Sequence, residues 1–100
     1  MTFKVRYTKA ARSDLRRLFA YLARHNLALA TKARAKIAKA TELLQDFPFT
    51  CRRASPAHHF LRELVINFGA SGYVQLFEID SSDTVTIMAV RHQREDDYLT

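Results

Sequence analysis

The sequence predicts an α+β fold: a helical hairpin packed on an antiparallel-rich four-stranded sheet, in the order β-α-α-β-β-β. Three observations carry that prediction. A short run near the start alternates with period two. Two long stretches then carry apolar residues at helical spacing, with almost nothing between them. Three strand-like runs close the chain, separated by short polar or glycine-containing turns. At 100 residues the chain can close one core, so a single domain over residues 1–100 is expected.

The first strand is placed at about Thr2–Tyr7, where Phe3, Val5 and Tyr7 alternate with Lys4 and Arg6. Thr8 then stands where an N-cap belongs, because its hydroxyl can accept from the first free amides of a helix. Ala11, Leu15, Leu18, Phe19 and Leu22 form one face of a helix running to about His25. Arg12, Arg16, Arg17 and Arg24 take the other faces, and Asn26 is expected to stop the helix in a left-handed conformation. The second helix is placed from about Ala28 to Phe47 and ended by Pro48. Its apolar stripe is Ala33, Ile37, Ala40, Leu44 and Phe47, and Lys32, Lys36 and Lys39 form a basic stripe. The small alanines let the helices approach closely, and the short link makes them antiparallel.

Residues 49–59 read as an irregular connection. Strands follow at about Phe60–Ile66, Tyr73–Ile79 and Thr84–Arg91. Gly69 and Gly72 mark a tight reversal, and Asp80-Ser81-Ser82-Asp83 marks a hairpin. The tail from Gln93 to Thr100 is polar and acidic. The last three strands should form a meander that the first strand joins, with the helices over one face.

Composition narrows the function classes. Apolar residues make up 48% and charged residues 26%, which excludes wholesale disorder. The longest apolar run, Leu18–Ala23, is far short of the ~20 residues of a membrane span. No secretory signal follows the N-terminal charges, and the single cysteine, Cys51, forms no internal disulfide, so a reducing cytoplasm is expected. Residues 1–60 hold 13 Lys/Arg against 3 Asp/Glu, while residues 61–100 hold 3 against 7. A basic half points to an anionic partner such as nucleic acid, a ribosome or an acidic protein segment; solvated helix faces are the plainer explanation.

Candidate chemistry is sparse. His25, His58, His59, His92 and Cys51 lack metal-ligand spacing, so neither a metal nor a cofactor is expected. Arg52 and Arg53 directly follow Cys51 and would lower its pKa, but no base is placed beside it, so it reads as an ordinary loop cysteine. Acid–base cleavage of RNA needs a base, an acid and cations for the phosphate. Arg62, Arg91, His92, Arg94 and Tyr98 supply those types, if neighbouring strands bring Arg62 and Arg91 together. The plainer reading makes Arg62–Glu63 and Arg91–Glu95 surface ion pairs and packs Tyr98 on the sheet. Seven phenylalanines cannot all be central in so small a core, and some are expected in a groove that a partner segment fills.

Several segments resemble the RelE/ParE family of bacterial type II toxins over nearly the whole chain. Val5-Arg6-Tyr7-Thr8-Lys9-Ala10-Ala11-Arg12-Ser13-Asp14-Leu15 resembles the family's strand-to-helix transition, with Lys9 where many members carry proline. Leu43-Leu44-Gln45-Asp46-Phe47-Pro48 resembles the end of its second helix, and Arg62-Glu63-Leu64 its next strand. Gly72-Tyr73-Val74 and Ala89-Val90-Arg91-His92-Gln93-Arg94-Glu95-Asp96-Asp97-Tyr98 are the most specific pieces, and that ending is similar to the ParE-type, plasmid-stabilisation branch.

The resemblance implies a toxin that poisons DNA gyrase without being an enzyme itself. It implies neutralisation by a cognate, ParD-like antitoxin, with operator DNA reached only through that antitoxin. The RelE-type alternative is a ribosome-dependent mRNA endoribonuclease, which would use Arg62, Arg91, His92 and Tyr98. Against it, no lysine follows Lys39, and Tyr98 lies six residues beyond His92. Target contact is assigned to Arg91, Arg94 and Tyr98, and antitoxin binding to Leu18, Leu22, Ile37 and Leu44. A plain nucleic-acid-binding module is the third class, marked by salt-dependent affinity without toxicity.

Overall fold

In the computed structural model the chain is described at residues 2–81 and 83–94. It runs β1 (Lys4–Tyr7), α1 (Lys9–Ala23), α2 (Leu27–Thr41), 3-10 turns at Glu42–Gln45 and Pro48–Thr50, then β2 (Arg52–Ser55), β3 (His58–Phe68), β4 (Ser71–Ile79) and β5 (Thr84–His92). The α+β class and the hairpin-on-sheet layering agree with the sequence, but the sheet has five strands, in the order β1-β5-β4-β3-β2. The additional strand is β2, which pairs antiparallel with β3 from within the segment read as irregular. An ion pair of 2.9 Å between Arg52 Nε and Glu63 Oε1 fastens it. Its sequence, Arg-Arg-Ala-Ser, has no apolar alternation, as suits a short, charged edge strand.

The central strands β3, β4 and β5 form the expected meander, and β1 joins it in parallel with β5, Tyr7 opposite Ile87. Both glycines sit at the β3–β4 reversal. Gly69 has φ of 61°, and at Gly72 (φ 151°) an added Cβ would lie 2.0 Å from the Ile66 carbonyl oxygen, so no other residue fits there.

Each helix begins on a side-chain cap. Thr8 Oγ1 accepts from the Ala11 amide at 3.0 Å. Asn26 Oδ1 accepts from the Leu29 amide at 3.0 Å, so Asn26 starts α2 rather than stopping α1. α2 is also shorter than its apolar stripe suggested. At its last residue the Thr41 hydroxyl lies 2.7 Å from the Ile37 carbonyl, and the chain tightens into 3-10 geometry, with Gln45 O accepting from Phe3 N. Phe47 therefore leaves the stripe and is 58% exposed.

The core lies between the hairpin and one face of the sheet. Ala11, Leu18, Ala33 and Ile37 meet Leu64, Ile66, Tyr73, Phe77, Val85, Ile87 and Val90. A bulge keeps β5 in phase with it. Leu76 pairs with Ala89 but Phe77 with Ile87, so Met88 is an extra residue. Both Ile87 and Val90 thereby face the helices. The Val90 amide, beyond the reach of β1, donates to Asp14 Oδ2 of α1 at 2.9 Å.

One polar group lies fully inside this core. Gln75, on β4, donates from Nε2 to Tyr7 Oη (3.3 Å) and sits 3.1 Å from Thr41 Oγ1, which also accepts from Tyr7 Oη (3.2 Å). β1, α2 and β4 thus meet at three polar side chains. Replacing Gln75 with Leu keeps the volume but strips Tyr7 and Thr41 of a partner, and is expected to cost about 1–3 kcal/mol in denaturant unfolding.

Candidate functional site

The site residues fall on different sides of the sheet. Arg62 pairs in register with Phe77, and Leu64 and Ile66 share its face, so Arg62 lies on the helix side. Arg91 pairs with Val74, which pairs with Val65, so Arg91 lies on the opposite face. β4 separates the two strands as well. The expectation that neighbouring strands bring Arg62 and Arg91 together is therefore not met.

Arg62 instead staples the β2 segment. Its Nη1 donates to the carbonyls of Cys51 (2.7 Å) and Phe49 (3.3 Å), and its guanidinium lies 5.5 Å from the Phe49 ring centroid. The half-buried Cys51 thiol is pushed above its ordinary pKa by burial, and the Arg62 cation opposes the shift without cancelling it. A thiol held neutral is a poor nucleophile, in keeping with an ordinary loop cysteine. Among the described residues no three His, Cys, Asp or Glu side chains gather into a metal site.

The end of β5 is the most polar constellation. His92 Nδ1 accepts from the Arg94 amide at 3.2 Å, and its Nε2 lies 3.0 Å from Ser71 Oγ. Because Nδ1 is an acceptor, the neutral ring carries its proton on Nε2 and donates to Ser71. Tyr73 meets the ring edge-on at 5.6 Å. Arg91 donates from Nη1 to the carbonyls of His92 (3.2 Å) and Gln93 (3.4 Å), so it braces the strand end that carries the exposed Arg94. Arg17, Tyr21, Leu29 and Phe68 complete a recess of about 660 Å³ around these groups. The sequence reading missed Arg17, Ser71 and Tyr21; the reversal at the two glycines was the available signal for Ser71. Tyr98 lies outside the described residues.

A second, apolar cavity of about 270 Å³ opens between α1, α2 and the sheet. Leu18, Leu22 and Ile37 line it with Leu15, Phe19 and Tyr73, as the helix spacing predicted. Leu44 does not: it is fully buried in the core, beyond the point where α2 tightens. Ala30 and Ala33 keep the cavity open by having little side chain to fill it. Arg34 closes one rim, with its guanidinium 4.9 Å from the Phe19 ring centroid. Leu18, Leu22 and Tyr73 line both recesses, so the two adjoin.

A family model described as the ParE toxin of type II toxin-antitoxin system, parDE, matches residues 5–97. The chain belongs to the ParE toxin family. Nine solved chains also match its structure, among them one from the chromosomal ParDE toxin–antitoxin system of P. aeruginosa. That chain is 18% identical, with a TM-score of 0.73 over 91% of this chain and 96% of that one, which shows a shared fold. No curated protein sequence matches.

Membership of the ParE family makes this chain the toxin of a two-protein system with a cognate antitoxin. No described helix is long and apolar enough to cross a membrane. The neutral Cys51 gives a direct check: its alkylation by iodoacetamide should reach half its maximal rate at a higher pH than a cysteine in a short unstructured peptide. A lower midpoint would mean that the Arg62 cation outweighs burial.

Proposed function

We propose that this ParE toxin poisons DNA gyrase by trapping the enzyme's own broken-DNA intermediate, and that it acts without catalytic chemistry of its own. The family match over residues 5–97 carries this reading. The arrangement of the described residues supports the non-enzymatic part. Arg62 is engaged with the Cys51 and Phe49 carbonyls on one sheet face, and Arg91 braces the β5 terminus on the other. His92 is held by Ser71 and the Arg94 amide. A ribonuclease would need these groups to converge on one phosphate.

Arg94 is the proposed target-contacting residue, exposed at the β5-end recess, with Arg91 positioning it and Tyr98 as a further proposed contact. The cognate, ParD-like antitoxin occupies the groove lined by Leu18, Leu22 and Ile37, where an apolar segment would replace water over apolar walls. Operator DNA is reached through the antitoxin, and the complex works in the cytoplasm.

Gyrase supercoiling and cleavage assays with the purified toxin test the proposal. Supercoiling should fall and protein-linked linear DNA accumulate, both reversed by the antitoxin. Arg94→Ala should weaken poisoning at least about tenfold with an unchanged circular dichroism spectrum, a loss equal to ~1.4 kcal/mol of binding. Folded toxin that leaves gyrase untouched but cuts mRNA on ribosomes would overturn the proposal in favour of the RelE-type alternative.

A further inference from the structure

The outer surface of the helical hairpin carries a charge pattern that the core does not use and that meets the recesses at Arg16, on the rim of the apolar cavity. Nine of the sixteen Lys and Arg residues lie between Lys9 and Thr41, against one carboxylate within the helices, Asp14, and two just beyond, Glu42 and Asp46, which share a shallow recess with Lys36 and Lys39. Asp14 is turned away from that face, since its Oδ2 accepts from the Val90 amide of the sheet. Lys32, Lys36 and Lys39 follow one another at i, i+4 and i+7 along α2, and Arg12 and Arg16 at i and i+4 along α1. All five are exposed, and among the described residues none of them makes an ion pair.

The residues between these cations decide what kind of anion fits. Ala20, Ala28 and Ala35 are exposed on the hairpin, and its large exposed apolar side chains, Tyr21, Leu27 and Leu29, sit at the turn between the helices. A protein partner needs buried aromatic or aliphatic anchors at the centre of its interface. A phosphate backbone needs only cations within reach and no apolar anchor. Each 15-residue helix is about 22 Å long, enough to follow several successive phosphates. Small side chains between the cations let a duplex approach closely.

We infer that the outer face of the α1–α2 hairpin binds the phosphate backbone of duplex DNA, without reading its sequence. The choice of DNA rests on the gyrase reading, which sets this toxin beside a DNA segment held in the enzyme. The hairpin face would then grip the DNA while the β5 end meets the protein.

Fluorescence anisotropy of the full chain with a short labelled DNA duplex, across rising NaCl, tests this. Log affinity should fall linearly with log salt. The triple variant Lys32→Gln, Lys36→Gln, Lys39→Gln should lower the slope by roughly 2–3, near 0.9 for each lost phosphate contact. Gln matches Lys in helix propensity, so the fold should hold, as circular dichroism would verify. Arg53→Gln, on the far edge strand β2, should leave the slope unchanged. Failure to bind the duplex, an unchanged slope in the triple variant, or tighter binding to an RNA duplex of the same sequence would overturn the inference. Gyrase is absent from this measurement. A toxin that poisons gyrase without binding DNA alone loses only this inference, and one that binds DNA without poisoning loses only the gyrase reading.

Discussion

The structure depends on a contact among three polar side chains where a core would ordinarily be apolar. Gln75 is fully enclosed, and its amide reaches Tyr7 of β1 and Thr41 of α2. A buried amide without partners costs on the order of 1–3 kcal/mol, so each partner must be in place. That requirement fixes more than local geometry. It sets the phase of β4, because a slip of one residue would turn Gln75 to the other face. It sets where α2 must end, and it seats β1 at the border of the sheet although β1 lies far from β4 in sequence. The Met88 bulge and the Asp14 bond to Val90 then settle the far side of α1 in the same way.

Once the hairpin is held there, the functional surfaces follow from what it covers. Alanines on α2 leave a gap over Tyr7 and Tyr73, which becomes the apolar groove. The hairpin stops short of the β3–β4 reversal, which leaves the second recess open around His92. The first is walled mostly by apolar side chains, and the second sets Arg17, Ser71, His92 and Arg94 around a largely apolar wall. The cationic outer face is a third surface. On the proposed reading the antitoxin and the target take separate places, although the two recesses share a wall at Leu18, Leu22 and Tyr73. That shared wall offers a physical route by which occupying the groove disturbs the target surface.

Much of this was legible in the residues. Period-two alternation placed β1, and helical spacing placed Leu18, Leu22 and Ile37 on one face. Glycines and the Asp-Ser run marked both reversals. What escaped was set by distant partners. β2 carries no alternation because it is a charged edge, and it became a strand only by pairing with β3. Phe47 fitted the stripe of α2 only while the helix kept 3.6 residues per turn, and the tighter geometry after Thr41 turned it outward, while Leu44 stayed in the core. Asn26 carries a side chain that suits either end of a helix, and the Leu29 amide decided the matter. Arg62 and Arg91 were separable only with strand order known, since sequence proximity says nothing about which strand lies between. Gln75, flanked by Val74 and Leu76, was a visible clue to a buried polar contact. Its partners could not be read from the sequence.

On the proposed reading the antitoxin docks in the groove over the sheet and not along the exposed β2 edge. Hydrogen–deuterium exchange of the toxin with and without its antitoxin separates the two. Docking in the groove should slow exchange along Leu15 to Leu22 and Ala30 to Ala38, and at Tyr73, while the amides of β2 keep their rates. Protection confined to β2 and its flanking Phe47 and Phe49, with the helices unchanged, would contradict it.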